Sequence, residues 1–240
     1  MSKAVRVLTI NPHEPEHDLI KQAAEIAGNS APLVFPTDTV YGIGVAVKDA
    51  EALNALYQIK ERDPDKAIPW LVLSVKDLGV YGAEVPDYAY RLAEKHWPGA
   101  LTLIVKASAA VPEEFRAYDG SIALRAPDCP IALELIRELG VPLAASSANK
   151  QGHEPPIFLE DVDADLIEAV ELAIDGGVCE KKYASTIVSC LEEKPQIIRQ
   201  GAITREELCC QFCHPEGHVC HPEGHSPKDH AAKRHPDKSK

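Results

Sequence analysis

Short β-rich apolar runs alternate with longer stretches of helical spacing over most of residues 5–211. Residues 5–10 alternate weakly and read as a strand. Over 17–27, Leu19, Ile20, Ala23, Ala24 and Ile26 recur on one helical face, and Gly28-Asn29 closes the element. Residues 33–35 and 40–47 are two apolar runs split by Pro36 and a polar turn, Thr37-Asp38-Thr39. Proline lacks an N–H and so ends a strand. Asp49 suits the cap of a helix carrying Leu53, Leu56 and Tyr57. That helix runs out at Lys60-Glu61-Arg62-Asp63-Pro64, because the residue before a proline avoids helical backbone. Further strands are predicted over 70–75, 101–105, 121–126, 141–145, 170–174, 185–189 and 196–199. Helices are predicted over 86–96, 131–139, a short acidic stretch in 160–170, and 205–211 behind Thr204. The alternation defines an α/β body with no internal repeat or dividing linker, and leaves open whether the sheet is parallel or mixed.

The pattern changes at the C-terminal end, where apolar residues almost vanish. Cys-His-Pro-Glu-Gly-His occurs twice, at 213–218 and 220–225. A segment of this composition cannot bury a core and is expected to be disordered without a ligand. We therefore divide the chain into a domain over 1–208 and a Cys/His-rich tail over 209–240. Cys210, Cys213, His214, Cys220 and His221 are borderline-soft ligands of the kind tetrahedral Zn2+ takes in fours. A tail that gathers metal adventitiously is the competing reading. In the body, Cys129, Cys179 and Cys190 are scattered and are expected to be reduced and inert.

The formal charge of −12 is uneven, since residues 203–240 hold six Lys/Arg and six Asp/Glu and the excess lies in residues 1–202. An acidic body argues against a protein that coats nucleic acid, but not against a local basic site for a phosphorylated small molecule. No apolar run approaches the length of a membrane span, and residues 1–6 lack a secretory core, so a cytoplasmic chain without membrane contact is expected.

The polar groups at strand ends and loops are Thr37, Asp38, Thr39, Lys60, Arg62, Lys66, Ser121, Arg125, Ser146, Ser147, Asn149, Ser185, Thr186 and Arg199. They are rich in cations and hydroxyls, with no catalytic carboxylate pair and no Ser/His/Asp order. Such a set holds anions and developing phosphoryl charge better than it attacks a substrate. Plainer readings compete. Thr37-Asp38-Thr39 can be a hairpin that satisfies its own amides, Lys60 and Arg62 a solvated helix end, and Arg125 a side chain snorkelling from an edge strand.

Seven segments in order settle these readings jointly. They are Pro36-Thr37-Asp38-Thr39-Val40-Tyr41-Gly42-Ile43-Gly44; Lys60-x-Arg62 with Lys66; Trp97-Pro98-Gly99-Ala100-Leu101-Thr102; Leu124-Arg125-Ala126-Pro127; Ser146-Ser147-Ala148-Asn149; Ser185-Thr186-Ile187-Val188; and Ile198-Arg199-Gln200-Gly201. Together they resemble the YrdC family of threonylcarbamoyl-AMP synthases, over about residues 5–208. The resemblance implies a single YrdC-like domain with a twisted, mixed sheet flanked by helices. It also implies a nucleotidyltransferase that converts L-threonine, bicarbonate and ATP, with Mg2+, to threonylcarbamoyl-AMP and pyrophosphate. That product feeds the machinery of tRNA t6A37 modification. By the same resemblance Thr39, Arg125, Ala145 and Ser185 face threonine. Lys60, Arg62, Lys66, Ser121, Ser147, Asn149 and Arg199 hold ATP, and Lys60 and Arg62 carry the catalytic charge.

The chain departs from the family at Asp63, where proline usually follows Lys-x-Arg, at Leu71, near a usual histidine, and at Pro155-Pro156, where a hydroxyl is usual. Larger members carry a second domain where this chain has its tail. The rival readings are a double-stranded-RNA-binding module with weak RNA contact, a YciO-like relative without synthase activity, and a metal-handling protein defined by the tail.

Overall fold

The computed structural model describes residues 5–61 and 68–209. The expectations for Arg62, Asp63 and Lys66, and for the tail ligands Cys210, Cys213, His214, Cys220 and His221, lie outside these residues.

Among the described residues, eleven strands form one mixed sheet. They are β1 (Arg6–Thr9), β2 (Leu33–Phe35), β3 (Gly42–Ala46), β4 (Trp70–Leu71), β5 (Gly82–Ala83), β6 (Leu101–Ala107), β7 (Ser121–Arg125), β8 (Leu143–Ser147), β9 (Leu172–Asp175), β10 (Thr186–Ser189) and β11 (Gln196–Arg199). Their order is β1-β9-β2-β3-β8-β4-β7-β6-β10-β11, with β5 also paired to β6. β9 runs parallel to β1 and β2, β7 to β4, and β10 to β6, while the remaining pairs are antiparallel. The helices are α1 (His17–Ala27), α2 (Ala50–Lys60), α3 (Val75–Tyr81), α4 (Asp87–His96), α5 (Pro130–Leu139), α6 (Ala164–Ala169) and α7 (Arg205–Cys209).

The two-residue period of a strand sends alternate side chains to opposite faces. On β2, Leu33 and Phe35 join the core beneath α1 and α5, while Val34 joins the larger core that α2 and α4 cover. β9 splits the same way, with Leu172 and Ile174 on one side and Ala173 on the other. Both faces are therefore buried there, which explains why β2 is apolar at every position. Burial of each large side chain contributes about 1.5–3 kcal/mol.

One predicted strand is corrected. The run 70–75 pairs only at Trp70–Leu71, and a helix, α3, begins at Val75. Ser74 caps α3 and Asp77 closes a capping box from the third helical position. This Ser-x-x-Asp start was present in the sequence and outweighs the apolar run before it. The other elements form within a few residues of their predicted bounds. Asp49 caps α2 through a 2.9 Å bond from the Ala52 N–H, and Gly140 closes α5 at φ 69°.

Candidate active site

The turn 37–39 lies between β2 and β3, strands adjacent to the sheet's centre. Here the plain reading holds for one residue only. Thr37 Oγ1 donates to Val40 O at 2.7 Å and accepts from the N–H groups of Thr39 and Val40 at 3.1 and 3.2 Å. Thr37 therefore builds the turn. Asp38 does not satisfy turn amides with its side chain. One carboxylate oxygen takes Arg125 Nη2, and the other lies 3.0 Å from Lys181 Nζ. Arg125 also donates through Nη1 to Thr39 Oγ1 and through Nε to Gly99 O, both at 2.9 Å. The Asp38 and Arg125 side chains are only 5% and 7% exposed. β7 sits between β4 and β6, so the edge-strand reading of Arg125 fails. A buried guanidinium in an interior strand requires partners. The described bonds use three of its five N–H groups, so each terminal nitrogen retains one donor.

Thr37 gives its single hydroxyl proton to Val40 O, so in the 2.9 Å Thr37–Thr39 contact it is Thr39 that donates. Thr39 accepts from Arg125 and keeps a further lone pair. It lines a cavity of about 160 Å³ together with Arg125, Thr102, Ser146, Ser147, Ala145, Leu71, Ser185 and Arg199. A space of about 150 Å³ accepts a benzene-sized molecule, so this cavity suits a small metabolite.

Ser185 hydrogen-bonds Thr102 Oγ1 at 2.9 Å. Arg199 Nη2 donates to Ser185 O at 2.9 Å and to its hydroxyl at 3.4 Å. Arg199, assigned by resemblance to ATP, thus shares a cavity with Ser185 and Arg125, which were assigned to threonine. The Ala145 N–H is engaged by Pro69 O at 2.9 Å. Gly42 lines the cavity, but Gly44 answers to packing. A Cβ there would stand 2.7 Å from Ala144 O on β8, so of the two glycines only Gly42 borders the cavity.

A second cavity of about 280 Å³ is lined by Lys60, Glu61, Asn149, Lys150, His153 and Asp165. Lys60 Nζ donates to the carbonyls of Ser147, at 2.8 Å, and Asn149. This joins the end of α2 to the loop after β8. Asn149 Nδ2 donates to His153 O at 2.7 Å, while its amide oxygen is buried without a partner among the described residues. Asp163 organises the loop by accepting the Lys150 N–H at 2.6 Å and the His153 ring at 2.9 Å. The Lys150 N–H holds the Asp163 carboxyl below its ordinary range.

Ser121 is not brought to either cavity. It begins β7 opposite Lys106, whereas Arg125 ends the strand. Four residues of strand separate the two by about 13 Å. The sequence reading also missed Lys181 and Thr102. A Lys181-Lys182 pair in the crossing between β9 and β10 was a signal for the first, and the second, though inside the third segment, sits in the apolar run of β6. Burial pushes the Cys129 thiol up to about 11 and those of Cys179 and Cys190 to about 12, so these cysteines are inert.

An α/β domain with a buried Arg-carboxylate pair and convergent hydroxyls around a small cavity has the chemistry to receive a small anion. The family model that matches, described as "Telomere recombination" and named for Sua5, YciO and YrdC, covers residues 26–201, and the chain belongs to this family. It is 37% identical over 191 residues to the threonylcarbamoyl-AMP synthase of Bacillus subtilis, covering 79% of this chain and 55% of the relative. It is 38% identical over 176 residues to a putative threonylcarbamoyl-AMP synthase of Mycobacterium tuberculosis, covering 73% of this chain and 81% of the relative. Among solved structures, Sua5 of P. abyssi complexed with L-threonine superposes with a TM-score of 0.82 at 31% identity, over 87% of this chain and 61% of that one. YciO of E. coli superposes with a TM-score of 0.76 at 28% identity, over 82% and 96%. The chain thus spans about half the length of the B. subtilis relative. No helix among the described residues is long and apolar enough to cross a membrane.

Proposed function

We propose that this chain is a threonylcarbamoyl-AMP synthase acting on L-threonine, bicarbonate and ATP, its product destined for tRNA t6A37 modification. The observation that carries the reading is the buried Arg125 fork with Thr39 and Ser185 around a cavity of about 160 Å³. A carboxylate suits the two remaining N–H groups of Arg125, since guanidinium and carboxylate pair in a fork. The lone pair of Thr39 suits an amine donor. Threonine's nitrogen bonds to the carbon of bicarbonate, water leaves, and the resulting carbamate oxygen attacks the α-phosphorus of ATP with pyrophosphate as leaving group. The nucleophile belongs to the substrate, so the protein supplies position and charge.

The second cavity supports the nucleotide side. Lys60 brings a cation, and Asn149 an amide oxygen without a partner among the described residues, to the loop that also carries Ser147. Arg62 and Lys66 continue this assignment beyond the described residues. Among the described residues no group of three or more His, Cys, Asp or Glu could hold a metal, and Asp38 is already paired with two cations. The described site therefore does not fit a protein-held Mg2+. We assign the ion to the phosphates and water of the nucleotide, as part of the substrate. Zn2+ in the tail and a weak RNA contact remain separate proposals, as does a cytoplasmic location.

A YciO-like protein without synthase activity is the second reading, favoured by the 0.76 TM-score to YciO. Incubation with threonine, bicarbonate, ATP and Mg2+ decides between them. Pyrophosphate release that requires both threonine and bicarbonate is expected, and release indifferent to threonine would overturn the synthase reading.

A further inference from the structure

We propose that Lys181 is a positioning residue for the substrate carboxylate: it neutralises Asp38, so that Arg125 keeps its positive charge for the ligand. The proposal rests on the reading of the cavity as an amino-acid site. Arg125 and Asp38 alone form a buried pair of zero net charge. A carboxylate docking on the two open N–H groups of Arg125 would lie within a few ångströms of the Asp38 carboxylate, and like charges at that range repel. Lys181 Nζ occupies the other Asp38 oxygen at 3.0 Å. The three groups then carry +1, and an arriving carboxylate brings the cluster to neutrality.

The chain places this cation deliberately. Residues 176–185 cross from the end of β9 to the start of β10. The Lys181 N–H donates to Asp38 O at 3.0 Å, so backbone and side chain hold the same residue. Tyr41 anchors the start of the crossing, its hydroxyl donating to Gly177 O at 2.7 Å. Lys182 follows in left-handed backbone at φ 59°, a region L-residues with side chains seldom enter. That turn returns the chain to Ala184 and Ser185 in the cavity wall. One segment thus delivers both the balancing cation and a lining hydroxyl. An ordinary surface salt bridge has two solvated partners and contributes little. Here the lysine side chain is 38% exposed, but its partner is 5% exposed.

The test titrates threonine in the pyrophosphate-release assay, with the full chain, saturating ATP and bicarbonate, and two ionic strengths. Lys181→Gln is expected to raise the threonine KM about five- to tenfold, with kcat and the ATP KM kept within about twofold. Lys181→Arg restores the charge and is expected to return the threonine KM to within about twofold of wild type. Salt is expected to raise the threonine KM of the wild type, whose Lys181 is 38% exposed, more than that of the Gln variant. An unchanged threonine KM in the Gln variant, a loss confined to kcat, no recovery with Arg, or an equal salt effect on wild type and Gln variant would each overturn the proposal. Absence of threonine-dependent release from the wild type would instead overturn the synthase reading. Calorimetric threonine binding to wild type and Lys181→Gln then decides the role of Lys181 alone: weaker binding to the variant supports it, and equal binding or none overturns it.

Discussion

The cavity walled by Arg125 and the cavity beside Lys60 draw on the same loop, through Ser147 and Asn149, yet their charges are held in opposite ways. Arg125, at the end of an interior strand, and Asp38, in the turn between β2 and β3, are buried and bonded to each other. Lys60 is part-buried at a helix end and binds backbone carbonyls of a loop. The first arrangement is held by further hydrogen bonds to Thr39, Gly99 and Lys181 and borders a cavity of about 160 Å³. The second is built from a helix terminus and the loop 147–153, and its remaining expected cations lie in residues 62–67. A pocket for an amino acid can be made inside a sheet. A triphosphate is too long and too charged for that, and is better met at the rim, where cations remain hydrated.

Four experiments would break or sharpen this contrast. The largest effect is expected from Arg125→Ala, which leaves the Asp38 carboxylate buried with a single cation. We expect a loss of about 3–5 kcal/mol in urea unfolding together with loss of threonine-dependent turnover. An unshifted midpoint would show that the pair is not structural. Next is Gly201→Ala. A Cβ there would stand 2.0 Å from Ala184 O and 2.6 Å from the Ser185 carbonyl. Backbone cannot yield as a side chain can, so we expect about 1–3 kcal/mol of destabilisation and weaker threonine binding. Normal binding would mean that Ser185 does not touch the ligand.

Lys60→Ala should reverse the pattern of Arg125→Ala. We expect about a hundredfold loss in kcat/KM for ATP, with only about 1 kcal/mol of stability lost from its hydrogen bonds. Wild-type kinetics would sink the charge assignment. The smallest effect is a pH dependence. Cys129, Cys179 and Cys190 are raised from 9.0 to about 11, 12 and 12 by burial. Above pH 9 the unfolded chain releases these protons while the folded chain retains them. The folded state then binds more protons, so stability falls as pH rises from about 9 toward 11–12. Thermal melts across that range should show the decline, and a flat profile would contradict the burial of the thiols.

Much of the fold was legible because strand and helix periods differ. Helices α1, α2 and α5 announced themselves through apolar spacing and end signals at Gly28, Asp49 and Gly140. α3 was missed because an apolar run masked its Ser74 cap. The site was legible in part. Thr39, Arg125 and Ser185 come together as expected, from three distant segments. Ser121 does not, because its hydroxyl side chain at a strand end said nothing of which end of the sheet it joined. Lys181 escaped notice because its partner, Asp38, is 143 residues away.

The amino-acid order by itself determined the α/β class, the polar turn between two buried strands, the family and the change of character near residue 209. These depend on short-range chemistry: periodicity, proline and glycine breaks, and motifs read within a few residues. Only the tertiary structure decided that Thr37 builds the turn while Thr39 faces a cavity, that Arg125 lies in an interior strand, and that Arg199 shares the wall with Ser185. It alone showed that Asp38 is balanced by two cations. Those facts follow from strand order and register, which bring remote residues within 3 Å, and a linear pattern of residues carries no distance between its parts.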